Sequence, residues 1–150
     1  MMKLTEHLIK IFHRDLNILA KELKDYPSES VLWKTAPGIN NSAGNLALHL
    51  IGNLNHFIGT ILGNTDYIRD REREFTDKDI PLSRILTQIE ETQKIIPEVL
   101  SRLTPEILEQ QYPIMVSNEQ NRTDYVLIHL AAHLAYHLGQ TNYHRRLLGL

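Results

Sequence analysis

At 150 residues the chain is long enough to bury one substantial core, and 1–150 reads as a single domain. Its formal net charge of −2, with His neutral, supplies no basic field for nucleic acid or an anionic membrane. The absence of cysteine excludes disulfides, a thiolate nucleophile and any cysteine-containing zinc site, leaving His and carboxylate to hold a metal. The N-terminus, Met1-Met-Lys-Leu-Thr-Glu-His7, lacks the apolar run of a signal peptide. Nowhere are there ~18 consecutive apolar residues for a membrane span, so a cytoplasmic protein is expected.

Residues 3–25 predict a first helix, because Leu4, Leu8, Ile11, Phe12, Leu16, Leu19 and Leu23 keep the three-and-four spacing of one apolar face. His7 and His13 are read there as solvated or capping histidines. Tyr26-Pro27 ends the helix, since the residue before proline avoids the helical region. Residues 28–41 then read as a connection anchored by Trp33. A second helix, 41–62, starts at Asn40, Asn41 or Ser42 and buries Leu46, Leu50, Leu54, Phe57, Ile58 and Ile61. Gly63-Asn64 stops it. His49 lies on the edge of that stripe, and His56 is about 10 Å further along, too far to share an ion with it.

The segment 64–81 is charge-dense, and Arg69-Asp-Arg-Glu-Arg-Glu74-Phe75 reads as a solvated loop or helix end, not as a site. A third helix is predicted at 82–103 with Ile85, Ile89, Ile96, Leu100 and Leu103 inward and a kink at Pro97. Thr104-Pro105 opens a short helix to about Gln110, as an N-cap followed by proline at the first helical position does. Residues 112–116 read as an extended crossing. The fourth helix, 123–147, is capped by Thr123 or Asp124 and stopped at Gly149, with Arg145 and Arg146 complementing its dipole. The fold class is therefore all-α: a four-helix bundle whose connections are long enough for crossover topology.

Chemistry concentrates in the fourth helix. His129, His133, His137 and His144 fall within sixteen residues at steps of four, four and seven. On a helix these steps place all four imidazoles within roughly 80° of one face, with the i, i+4 pairs about 6 Å apart. Leucines flank the stripe, and buried imidazoles are costly unless something accepts their nitrogens. His133 and His137 form the best pair for one metal ion, with His129 and His133 as the competing pair. A third ligand must come from another helix, and His49 is the histidine most embedded in an apolar stripe. Zinc, nickel and iron all suit imidazole. No Gly-x-Ser-x-Gly elbow, P-loop or paired-carboxylate motif offers another site.

The combination of His49 within Gly44-Asn-Leu-Ala-Leu-His-Leu-Ile-Gly-Asn53 and His133-Leu-Ala-Tyr-His137-Leu-Gly-Gln140 resembles the DinB superfamily of metal-binding four-helix bundles. The likeness covers nearly the whole chain, including Arg71-Glu-Arg-Glu-Phe75. It implies a right-handed-type crossover bundle, often a homodimer, with one divalent metal held by His49, His133 and His137. Nickel or zinc is the expected ion, with iron or manganese also compatible. His129 would stand near the site without ligating, and His56 and His144 receive no role.

Characterised members of the superfamily include thiol-dependent S-transferases and a thiol-dependent isomerase. The expected activity is thus metal-dependent S-transfer using a small-molecule substrate and a low-molecular-weight thiol. A metal-dependent hydrolase and a non-catalytic, metal-stabilised interaction module are the alternatives. Gln140, Tyr136 and Tyr143 are candidate contacts around the ion or substrate. A hydrolase would want a carboxylate base, and Glu6, Asp15 or Asp124 could supply one only through the fold.

Overall fold

The computed structural model describes residues 3–148. Helix α1 spans Leu4–Lys24, and its buried face carries Leu8, Phe12, Leu16, Leu19 and Leu23. Each such side chain contributes about 1.5–3 kcal/mol when fully buried, so this stripe alone commits α1 to the core. Glu6 accepts the Lys3 backbone N–H at 3.0 Å at the start of the helix. Lys21 and Lys24 close its last turn, where cations suit the dipole.

A 3₁₀ turn at Glu29–Trp33 follows, and Trp33 lies so close over Gly44 that a Cβ there would strike the indole ring. Helix α2 spans Ala43–Leu54; of its three candidate caps, Ser42 takes the position and accepts the Asn45 N–H at 3.1 Å. The helix continues as a π-helical turn, Asn55–Thr60, wider than the α-helix expected there. The buried Asn55 side chain holds that turn, donating to the Ile51 carbonyl at 2.9 Å and to Thr92 Oγ1 at 2.8 Å. Asn64, at φ 52°, supplies the left-handed stop.

Helix α3 is short, Arg71–Thr76, capped by Asp70, whose carboxylate accepts the Arg73 N–H. It lies in the segment read from sequence as solvated. Helix α4 spans Leu82–Leu100, burying Ile85, Ile89, Thr92, Ile96, Val99 and Leu100. Pro97 falls in its last turn, and the helix ends three residues on, at Leu100, short of the predicted Leu103. Helix α5 is Pro105–Glu109, opened as expected by Thr104.

The crossing at 112–116 doubles back instead of running on. Val116 and Glu119 exchange backbone hydrogen bonds at 3.0 Å across Ser117 and Asn118, both at positive φ. Tyr112 is buried there and donates to the Phe57 carbonyl. Helix α6 spans Thr123–Leu147. Its N-cap is Arg122, with no side-chain cap, and not Thr123 or Asp124; the Thr123 hydroxyl instead donates back to the Gln110 carbonyl at 3.2 Å. The predicted stop at Gly149 lies outside the described residues.

Helix α1 packs against α4 and α6, and α2 packs against the same two helices from the opposite corner. Consecutive long helices α1 and α2 are therefore diagonal, and the connection between them crosses the bundle. This is the crossover arrangement that the long connections allow. A buried polar tie reinforces the α1–α6 seam: Glu22 accepts Asn142 Nδ2 at 2.8 Å and Arg145 Nε at 3.0 Å. No strand occurs among the described residues, and none of their helices is long and apolar enough to cross a membrane.

Candidate metal centre

Helices α2 and α6 face each other across one edge of the bundle, and His49, His133 and His137 meet there. One ligating atom from each lies within 4.8 Å of the others. His133 Nε2 stands 3.1 Å from His49 Nε2 and 3.1 Å from His137 Nε2, so it occupies the middle of the group. The rings meet edge to face, with centroids 4.5 Å apart for His133–His137 and 5.0 Å for His49–His133. His49 is buried, and the two α6 histidines are half-buried.

The protein sets the tautomer of two of these rings from behind. His49 Nδ1 lies 2.9 Å from Glu74 Oε2, and an ionised carboxylate can only accept, so Nδ1 carries the proton. Arg69 clamps the same carboxylate with Nε at 2.7 Å from Oε1 and Nη2 at 2.9 Å from Oε2. Burial alone would raise the Glu74 pKa, but the hydrogen bonds from His49 and Arg69 outweigh it and hold Glu74 below the usual carboxylate range. On α6, His137 Nδ1 donates to the Gln140 amide oxygen at 2.6 Å, and the Gln140 amide nitrogen donates to the Tyr136 hydroxyl at 3.2 Å. Both arrangements leave the Nε2 lone pair pointing into the group. A hydrogen-bonded back nitrogen is the usual support of a metal-ligating histidine.

His133 is the exception. Its Nδ1 is buried without a partner. Burial, followed by the neighbouring His137, His49 and His129 rings and Arg69, pushes its pKa down to about 3, so the ring is neutral at pH 7. Burial likewise lowers His137, partly offset by Gln140. A single proton on His133 cannot satisfy both facing Nε2 lone pairs. A cation can accept all three, so the donor set fits a metal ion bound by imidazole.

The other histidines are elsewhere. His129 is exposed, its ring stacked 6.4 Å from that of His133, and it lies outside the three-histidine group. The competing His129–His133 pair is not the one brought together with His49. His56 packs its ring against Phe57, and His144 is buried with Nδ1 3.0 Å from the Tyr26 hydroxyl. His13 is exposed and bonds Asn17 one turn on.

Sequence reasoning missed Glu74 and Arg69 by reading 69–75 as solvated. In the fold Glu74 is buried, and Phe75 covers the His49 ring at 4.9 Å. Two residues of the His49 segment make room for this. Asn45 donates its amide to the carbonyls of Glu74 and Asp77, at 3.0 and 2.9 Å, tying α3 down. Gly52, one turn after His49, leaves the space that the Glu74 carboxylate fills. A small residue one turn from a core histidine was the available signal. The acids left open from sequence lie away from the group: Glu6 caps α1, Asp15 pairs with Arg14, and Asp124 pairs with Arg122.

The fold and this three-histidine edge define a DinB-like helical bundle. Residues 3–149 match a family described as "Protein of unknown function (DUF1572)", and the chain belongs to that family, which is a DinB-like one. A crystal structure of a DinB-like protein from Bacillus cereus ATCC 10987 has the same fold. It superposes with a TM-score of 0.74 at 19% identity, covering 97% of this chain and 93% of that one. No curated protein matches the chain at a significant level.

Proposed function

We propose that the chain is a divalent-metal enzyme whose ion is held by Nε2 of His49, His133 and His137, and that it performs thiol-dependent S-transfer. The convergence of three imidazole nitrogens, two of them with their back nitrogens tied, carries the first part of this reading. Nickel or zinc is the ion proposed, iron and manganese being the other fits. Such an ion, when bound, lowers the pKa of a thiol brought to it and favours the nucleophilic thiolate at neutral pH.

The rest falls to the chain's own residues. Glu74 and Gln140 keep His49 and His137 in the tautomer that presents Nε2, and the Arg69 clamp keeps Glu74 ionised. With no cysteine in the sequence, the thiol must arrive as a small molecule. The disposition of carboxylates favours transfer over hydrolysis. Water activation wants a free carboxylate as base. Glu74 is the acid at the group, and both of its oxygens are committed to Arg69 and His49. The partners proposed are a small-molecule substrate and a second copy of the chain, with neither nucleic acid nor membrane.

Elemental analysis of protein purified without a histidine tag is the first test, with one equivalent of metal per chain expected. Assays pairing low-molecular-weight thiols with electrophiles follow. Metal-free protein that also fails to take up Zn²⁺ or Ni²⁺ would remove the site. Turnover of esters or amides without thiol would reassign the reaction to hydrolysis.

A further inference from the structure

Beside the three-histidine group lies a cavity of about 310 Å³, within the range of small-molecule sites. Its walls are the loop at 38–41, the start of α2 and the last turns of α6. Leu46 lines it, three residues before His49, and Gln140 lines it, three residues after His137. Three residues advance a helix by about 4.5 Å, so on both helices the cavity begins one turn from the ligating rings. Gln140 belongs to both places, since the side chain in the cavity wall is the one bonded to His137.

The wall is preformed. Pro37 and Gly38, the latter at φ +80°, occupy the two middle positions of a tight turn closed by the Ile39 N–H on the Ala36 carbonyl at 2.8 Å. Proline followed by a residue at positive φ is the arrangement of a type II turn, and glycine adopts it without strain. Trp33 pinned over Gly44 secures the other end of the segment. His144, in the opposite wall, is held by Tyr26.

The chemistry of the lining is selective. Asn40, Asn41, Gln140 and Tyr143 offer carboxamides and a phenol, and Ile39, Leu46 and Leu147 supply apolar surface. His144 offers an imidazole with a buried, unpartnered Nε2, a ring that burial favours in its neutral form. No Asp, Glu, Lys or Arg lines it among the described residues. An ionised phosphate or carboxylate would lose its hydration here with no opposite charge to replace it, whereas amide and hydroxyl groups find partners.

We propose that this cavity is the binding pocket for the electrophilic substrate, and that it takes an uncharged molecule with amide or hydroxyl groups on a compact apolar body. The word substrate rests on the function proposed above; the ligand chemistry rests on the lining alone.

The test is a protein-observed NMR titration of the full chain with nicotinamide, acetanilide and benzyl alcohol, beside nicotinate and benzoate as charged counterparts. At least one neutral probe should shift the amide signals of Ile39–Asn41 and Tyr143–His144 with a dissociation constant in the millimolar range. Nicotinate and benzoate should bind at least about tenfold more weakly, reflecting the unpaired charge. Asn40→Trp fills the cavity from an exposed loop position and should abolish the shifts. Asn41→Arg supplies a cation and should bring nicotinate level with nicotinamide. The proposal is overturned if no neutral probe moves these signals, if the carboxylates bind equally well to the unaltered chain, or if Asn40→Trp retains the response. A parallel Zn²⁺ titration followed on the imidazole ring protons reports on His49, His133 and His137. Failure of the metal reading and failure of the cavity reading are therefore seen separately.

Discussion

His133 stands between two rings whose outward nitrogens are already spoken for, and this gives the three histidines unequal parts. His49 and His137 are oriented by Glu74 and Gln140; His133 is oriented only by what its Nε2 meets. Replacing His133 or His137 by Ala should therefore remove stoichiometric Zn²⁺ binding, measured by competition against a chromophoric chelator. Glu74→Gln and Gln140→Leu spare the ligands but release the ring behind them, and each should weaken affinity by about 10–100-fold. His144→Ala should leave Zn²⁺ affinity unchanged, because that ring is engaged with Tyr26 away from the group. Equal losses in His144→Ala and His133→Ala would show that the ion is not held where the geometry places it.

At the scale of the element, α3 decides whether the group is complete. This helix of six residues has too few turns to be stable alone, and its place is set by docking on α2. Two residues of α2 accomplish this: Asn45 holds the carbonyls at the end of α3, and Gly52 admits the Glu74 carboxylate. A methyl group at position 52 would run into that carboxylate. Gly52→Ala would ordinarily favour a helix, yet here it should destabilise the protein by about 1–3 kcal/mol, the usual cost of overpacking. Urea unfolding measures this, and the Zn²⁺ titration of the same variant should show weakened binding. A variant as stable as the parent with full Zn²⁺ affinity would separate α3 from the site.

For the whole molecule, acid should act first through its buried and half-buried histidines. His144 and His56 both have pKa values lowered by burial, with Arg69 adding to the effect at His56 and Glu74 partly opposing it. The unfolded chain takes up those protons near pH 6.5 and the folded chain does not. Stability should consequently fall as pH drops through that range, before the more acidic window, below the usual carboxylate range, in which Glu74 loses its charge. Urea midpoints at pH 7.5 and 5.5 check the sign, and His144→Gln should reduce the difference between them. Assembly is the other property at this scale. Helix α6 turns Tyr125, Ile128 and Tyr136 outward and away from the cavity wall, all exposed. The homodimer proposed above would cover part of this face, and a stable interface buries about 1,600 Å² in total. Sedimentation velocity at micromolar concentration should give the dimer mass, and Ile128→Glu the monomer. A monomer mass for the unaltered chain would end that proposal.

Helices α1 and α4 were legible in the sequence because each carries a one-sided apolar stripe of helical period. Helix α2, buried nearly all round, and α6, with apolar residues on its exposed face too, were legible from apolar residues at helical spacing and from their end signals. The pair His133 and His137 was legible for the same reason, since a spacing of four is a geometric fact of one helix. The partner from α2 came from the resemblance carried by the Gly44–Asn53 and His133–Gln140 segments, which spacing within a single helix could not reach. What only the tertiary structure decided lies between elements. Whether Glu74 and Arg69 are solvated charges or the support of His49 depends on the contact of α3 with α2, and an alternating run of charges reads alike in either case. The π-helical turn depends on Asn55 finding Thr92 on α4, and the cavity depends on the 38–41 loop meeting the end of α6. Local periodicity reports what one element buries. It carries no record of which polar group, distant in the chain, arrives to satisfy it.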